Sequence, residues 1–170
     1  FLNTTTPVST NQNDIFDFEK KALNDFKKFV SIKSKLTDTR NKLMELNPKI
    51  LYVDDMAYSG WSQILQQLFY GKQDKNPFHV VVPDKTKTIG EFAEEIVKKA
   101  EGLNPDCILL DLRLMNESGV HYNVENLSGA IVLQELKKRL NKLPVILFTA
   151  SNKIYTYKKV KELGCDALLE

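Results

Sequence analysis

The sequence predicts an α/β protein with a doubly wound parallel sheet, and three observations carry that prediction. Strand-like apolar runs alternate with amphipathic helical segments from about residue 49 to residue 170. Two of the runs, Cys107–Leu110 and Val145–Phe148, are apolar throughout, like strands buried on both faces of a parallel sheet. Three runs end in acids or a hydroxyl: Ile50–Val53 meets Asp54 and Asp55, Cys107–Leu110 meets Asp111, and Val145–Phe148 meets Thr149. Open parallel sheets collect chemistry at the carboxyl ends of their strands, so these ends would gather three carboxylates and a hydroxyl.

Residues 1–14 are rich in Thr, Asn and Ser, carry no period, and are expected to form a disordered leader. Residues 15–48 read as an amphipathic helical extension or linker. Ile15, Ala22, Phe29, Leu36 and Leu43 recur every seven residues, with Phe18, Phe26, Val30, Ile32 and Leu46 on neighbouring turns. Thr37-Asp38-Thr39 is poor helix former and is expected to interrupt it. Two readings of this stripe stand: a helix packed on its own domain, or a homodimer through 15–46, against which Asp25, Lys33 and Thr39 on or beside the seam count. Asn47-Pro48 ends the helix, because the residue before proline is pushed out of helical geometry.

Strands then follow near 49–54, 78–82, 106–112, 144–149 and 166–170, with helices near 58–70, 88–101, 129–141 and 153–163. Gly71 and Gly102 are expected to close the first two of these helices and Gly164 the last, with Ser128 capping the helix that starts near Gly129.

Composition narrows the function. A net charge of +2, from 24 basic and 22 acidic residues, makes no large single-sign field, which argues against nucleic-acid binding by this segment. Cys107 and Cys165 lack any pairing or zinc-site spacing and read as small core residues in a reducing compartment. No apolar stretch approaches bilayer-spanning length and no signal peptide is visible, so no membrane partner and a cytoplasmic location are expected. The chain begins with Phe rather than Met and stops at Glu170 inside a strand-like run, as a piece of a longer protein would.

The runs Lys49-Ile-Leu-Tyr-Val-Asp54-Asp55, Pro105-Asp-Cys-Ile-Leu-Leu-Asp111-Leu-Arg-Leu, Leu143-Pro-Val-Ile-Leu-Phe-Thr149-Ala150 and Gly164-Cys-Asp, in this order, resemble the receiver domain of two-component response regulators over about residues 49–170. The Thr149 to Gly164 interval also has the length that family uses for its fourth helix. The resemblance implies a flavodoxin-like, five-stranded parallel sheet of order 2-1-3-4-5, here truncated at the fifth strand. It implies Asp111 as phosphoryl acceptor from a histidine kinase or phosphotransfer protein. It further implies Mg2+ held by Asp54, Asp55, Asp111 and the backbone carbonyl of Arg113, with Thr149 as switch hydroxyl and Ala150 as the small residue beside the phosphoryl group. Elementary chemistry agrees, since a carboxylate attacks a phosphoryl donor only if a cation offsets their repulsion. The chemistry implied is phosphorylation and dephosphorylation of the chain itself, not turnover of a separate substrate.

Three departures from the family pattern qualify the likeness. The lysine expected at the end of the fifth strand falls one residue beyond Glu170, as does the final helix, whose sheet face the 15–46 stripe could cover. An insertion of about ten residues within Met115–Ser128, holding His121 and Tyr122, is expected to lie over the site as a lid, as a kinase-selecting surface, or as a tolerated surface loop. Leu168 stands where many receivers have an aromatic residue, with Tyr155 and Tyr157 as alternative aromatic surface and Trp61 as a core or interface residue. The rival function is a pseudo-receiver, the same fold used as a phosphorylation-independent interaction module. A phosphatase of the haloacid dehalogenase type needs a second acid two residues after its nucleophile, and that position is Arg113.

Overall fold

The structure, a computed structural model, describes residues 35, 37–71, 76–115, 123–148 and 154–169. The leader 1–14, most of the heptad stripe, Thr149, Ala150, Glu170 and insertion residues 116–122 lie outside the described residues, as do the side chains of Tyr155 and Tyr157. The chain divides into two units, residues 1–42 and 43–170. In the first, residues 37–42 are helical, so Thr37-Asp38-Thr39 does not interrupt the helix as expected: its low intrinsic propensity is a small term. The second opens with helical residues 43–46 and closes that turn at Asn47, whose φ of 44° ends the helix just before Pro48.

Nine further elements follow: β1 (Ile50–Val53), α1 (Trp61–Tyr70), β2 (Phe78–Val81), α2 (Ile89–Leu103), β3 (Cys107–Leu110), α3 (Ser128–Arg139), β4 (Val145–Phe148), α4 (Ile154–Glu162) and β5 (Ala167–Leu169). They form one parallel sheet of order β2-β1-β3-β4-β5, the predicted doubly wound topology. Val53 lies level with Val81 and Leu110, and Leu110 with Leu147, so the strand ends align.

Strand alternation sorts the sheet's side chains onto two faces. Leu51, Val53, Ile108, Leu110, Val145 and Leu147 pack with Phe92, Ile96 and Val97 of α2, Leu133 and Leu136 of α3 and Val160 of α4. Ile50, Tyr52, Phe78 and Leu109 pack on the opposite face with Leu65 and Tyr70 of α1. Tyr70 also ties α1 to the sheet's start, its hydroxyl donating to the Pro48 carbonyl.

Boundaries differ from expectation at three points, each for a local reason. The first helix does not run from 58: residues Ala57–Ser59 form a short 3-10 turn, and Gly60 at φ 109° redirects the chain before α1. Gly102 lies inside α2, and Asn104, left-handed at φ 48°, closes that helix instead. Ser128 is the first helical residue of α3, not its cap, because the extended residue before the helix is Leu127. Gly71 and Gly164 stand where expected, at the ends of α1 and α4. No helix among the described residues is long and apolar enough to cross a membrane.

Candidate acid site at the strand ends

Two backbone hydrogen bonds carry the sheet one residue past its strands and set the acids in place. Asp54 N–H donates to Val81 O at 3.2 Å and Asp111 N–H donates to Val53 O at 2.9 Å. Asp54, Asp55 and Asp111 each bring a carboxylate oxygen to within 4.8 Å of the others. The three predicted acids therefore meet.

Asp54 is 5% exposed, so its charge needs partners, and it has two. The Tyr52 hydroxyl donates to Oδ2 and the Met56 N–H donates to Oδ1 at 2.6 Å. Burial first, and then the Asp54 hydrogen bond and charge, push the Tyr52 phenol far above its ordinary value, so it stays a donor. Burial, followed by the charge of Asp54, raises Asp111 from the usual 3.8 to about 7, although the Leu112 and Arg113 N–H groups oppose the shift. The Arg113 N–H donates to Asp111 Oδ2 at 3.2 Å. Asp55 is also raised, by burial and by Asp54, with its own and the Met56 N–H and the Lys85 charge pulling the other way. Asp55 and Asp111 resist being charged beside Asp54, and a hard divalent cation held by the oxygens of all three relieves that, so the donor set fits Mg2+.

The loop after β3 is held by α3. Ser128 Oγ accepts hydrogen bonds from Leu114 N at 2.8 Å and Met115 N at 3.2 Å, and Gly129 N donates to Leu112 O at 3.0 Å. A Cβ on Gly129 would stand 2.1 Å from the Asp111 carbonyl oxygen, so only glycine admits this approach. Beside the acids, Asp55, Lys85, Leu114 and Met115 line a cavity of about 260 Å³. Within the Met115–Ser128 stretch, residues Val124–Asn126 form a 3-10 turn whose Glu125 pairs with Lys159 of α4.

Tyr52, Lys85, Ser128 and Gly129 belong to this site and were not singled out for it from the sequence. For Tyr52 a signal existed, because residues two apart in a strand share a face and the hydroxyl could reach Asp54. Lys85 lies in a loop with no period to mark it. Thr149 and Ala150 lie outside the described residues, Trp61 is 45% exposed with its ring edge-on to Phe148 at 5.2 Å, and Leu168 packs partly buried on the core.

Neither protein families nor curated proteins give a match to this sequence. Solved structures do. The signal receiver domain of a putative Luxo repressor protein from Vibrio parahaemolyticus is similar at a TM-score of 0.50 and 21% identity, over 72% of this chain and 77% of that one. The receiver domain of NtrX from Brucella abortus is similar at a TM-score of 0.50 and 20% identity, over 71% and 83%. The described residues have the receiver-domain fold. This receiver fold places the acid cluster at the carboxyl ends of β1 and β3, the neighbouring strands between which the order of the sheet reverses.

Proposed function

We propose that this chain is a working receiver, in which Asp111 accepts a phosphoryl group from a histidine kinase or phosphotransfer protein and thereby switches a partner or output module. The carrying observation is the convergence of a buried Asp54 with Asp55 and a partly buried Asp111. Asp54, Asp55, Asp111 and the Arg113 carbonyl would hold Mg2+. Bound there, the ion supplies the positive charge that offsets repulsion between the carboxylate and a phosphoryl donor.

The chain's own residues do the rest. Tyr52 and the Met56 N–H fix Asp54, the Arg113 N–H orients the Asp111 carboxylate, and the Ser128 clip holds the loop that follows it. Asp111 attacks phosphorus as the leaving group departs. Thr149 is assigned the switch hydroxyl and Ala150 the small neighbour, on the family pattern and on their position next after β4. A hydroxyl giving one hydrogen bond biases a two-state loop by about 1 kcal/mol.

A protein donor is supported by apolar residues left exposed on α1 and on the turn that leads into it from the acids: Met56, Tyr58, Trp61, Ile64 and Leu68. The same row favours the pseudo-receiver as second reading, a constitutive interaction module. The setting proposed is the cytoplasm, where such kinases deliver phosphoryl groups. Pairing of two copies through 15–46 belongs to the proposal as an optional part, which solution mass with and without phosphorylation tests.

Intact mass after incubation with acetyl phosphate decides between the readings. A single Mg2+-dependent phosphoryl adduct on wild type, absent from Asp111→Asn, is expected. A folded wild type that takes no adduct leaves the interaction module as the function.

A further inference from the structure

We propose that Lys85 is the side chain that receives the phosphoryl donor in this site, binding its phosphoryl oxygens as Asp111 attacks. The inference rests on the reading of Asp111 as phosphoryl acceptor. Lys85 lines the 260 Å³ cavity with Asp55, Leu114 and Met115, so its charge shares a space with the acid whose carboxylate lies within 4.8 Å of that of Asp111. A water occupies about 30 Å³ of liquid, so this volume holds a phosphoryl group together with its waters.

The loop that carries Lys85 is built to present it. On one side Asp84 Oδ1 accepts from Thr86 N at 2.9 Å and Thr86 Oγ1 at 2.7 Å, while Lys87 N donates to Asp84 O at 3.1 Å. On the other side Thr88 and Glu91 form a reciprocal cap at the start of α2. The neighbouring Lys87 is spent on Glu95 at 2.7 Å, whereas Lys85 makes no ion pair within 4.0 Å among the described residues. One lysine of the turn is thus tied to a helix, and the other stands beside Asp55 with no ion pair among the described residues.

Asp55 on the cavity wall repels a phosphate dianion, and the Lys85 cation beside it adds to the charge of the bound ion in drawing the donor in. In the transfer, an Asp111 oxygen bonds phosphorus while the bond from phosphorus to the acetate oxygen of acetyl phosphate breaks. Acetate leaves with that electron pair, no proton or electron moves between groups, and the total charge is conserved. Lys85 stays protonated throughout and donates hydrogen bonds to a phosphoryl oxygen.

The test is the rate of adduct formation on the full chain against acetyl phosphate concentration, at saturating Mg2+, for wild type, Lys85→Gln, Lys85→Arg and Lys87→Gln. Mg2+ affinity is read separately from the fluorescence of Trp61, the chain's one tryptophan. Lys85→Gln is expected to slow labelling about tenfold through a weaker donor half-saturation, with Lys85→Arg recovering most of it and Lys87→Gln unchanged. Mg2+ affinity should hold or tighten in Lys85→Gln, because a cation beside Asp55 has been removed. Labelling of Lys85→Gln at the wild-type rate, a loss matched by Lys87→Gln, or weakened Mg2+ binding overturns the role of Lys85 alone. A wild type that takes no adduct overturns the receiver reading and this inference with it.

Discussion

The two faces of the sheet are finished to different degrees. On the face covered by α2, α3 and α4, the strand residues Leu51, Val53, Ile108, Leu110, Val145 and Leu147 are all fully buried. On the face covered by α1, Ile50, Tyr52 and Leu109 are buried at the centre, yet Ile146 and Phe148 are only partly covered and Leu169 is 47% exposed. One face holds the fold together and the other keeps apolar surface open beside the acids. Asp54 turns toward the second face, bound to Tyr52, which is how the site and the open surface come to adjoin.

The largest test of that contrast is truncation on each side. Leu133→Ala, in α3 and fully buried, should cost about 2–5 kcal/mol by urea unfolding. Ile64→Ala, exposed on α1, should stay within about 0.5 kcal/mol. Equal losses would break the contrast.

Next in size is the tension at the site. Asp111 holds its proton to about pH 7 in the folded chain and to the usual 3.8 unfolded. The folded state then binds more protons across that window, so stability is full below 3.8 and falls as pH rises to about 7. In metal-free buffer the fall should be on the order of 2–4 kcal/mol. Asp111→Asn should abolish it and melt higher than wild type at neutral pH, and added Mg2+ should recover the loss in wild type by mass action. A wild-type melting temperature flat from pH 4 to 7 would refute the picture of a strained acid cluster.

Most of the architecture was legible because buried parallel strands leave a strong mark. The all-apolar runs at Cys107–Leu110 and Val145–Phe148 allow few other readings, and Asp111 after the first follows the register of β1 and β3. What was illegible turned on single residues. Asn104 replaces the obvious Gly102 as helix terminator because asparagine also tolerates left-handed geometry. Ser128 looked like a cap, but one residue of phase turns its hydroxyl onto the backbone of Leu114 and Met115. Tyr52 was hidden by its own strand, where an aromatic reads as core, and Lys85 by its exposed loop.

The Ser128 clip should come third. Ser128→Ala leaves the buried Leu114 N–H without its acceptor, costing about 1–3 kcal/mol and loosening the segment that carries Asp111. Hydrogen exchange at Leu114 and Met115 should quicken while exchange in α2 holds. Exchange unchanged at both amides would mean the hydroxyl contributes little.

The smallest effect lies at the opposite end of the sheet, where the first face closes. Lys137 of α3, 14% exposed, donates to Leu143 O at 2.8 Å and to Asp166 Oδ2 at 2.6 Å, and the same oxygen accepts from Val145 N at 2.7 Å. Partial burial would raise Asp166, but the Lys137 and Val145 hydrogen bonds hold its carboxyl below the usual 3.8. A lowered folded pKa adds stability above 3.8 that is lost as pH falls through the folded value. Asp166 is 48% exposed, so solvent screens the pair, and Lys137→Met should cost only about 0.5 kcal/mol at neutral pH. The cost should shrink below pH 3.8, where wild type loses the same contact. It runs opposite in sign to the Asp111 effect, so wild type should lose stability toward neutral pH at one end of the sheet and toward acid at the other. A Lys137→Met penalty that stays constant on acidification would show that Lys137 acts through its bond to the Leu143 carbonyl and not through Asp166.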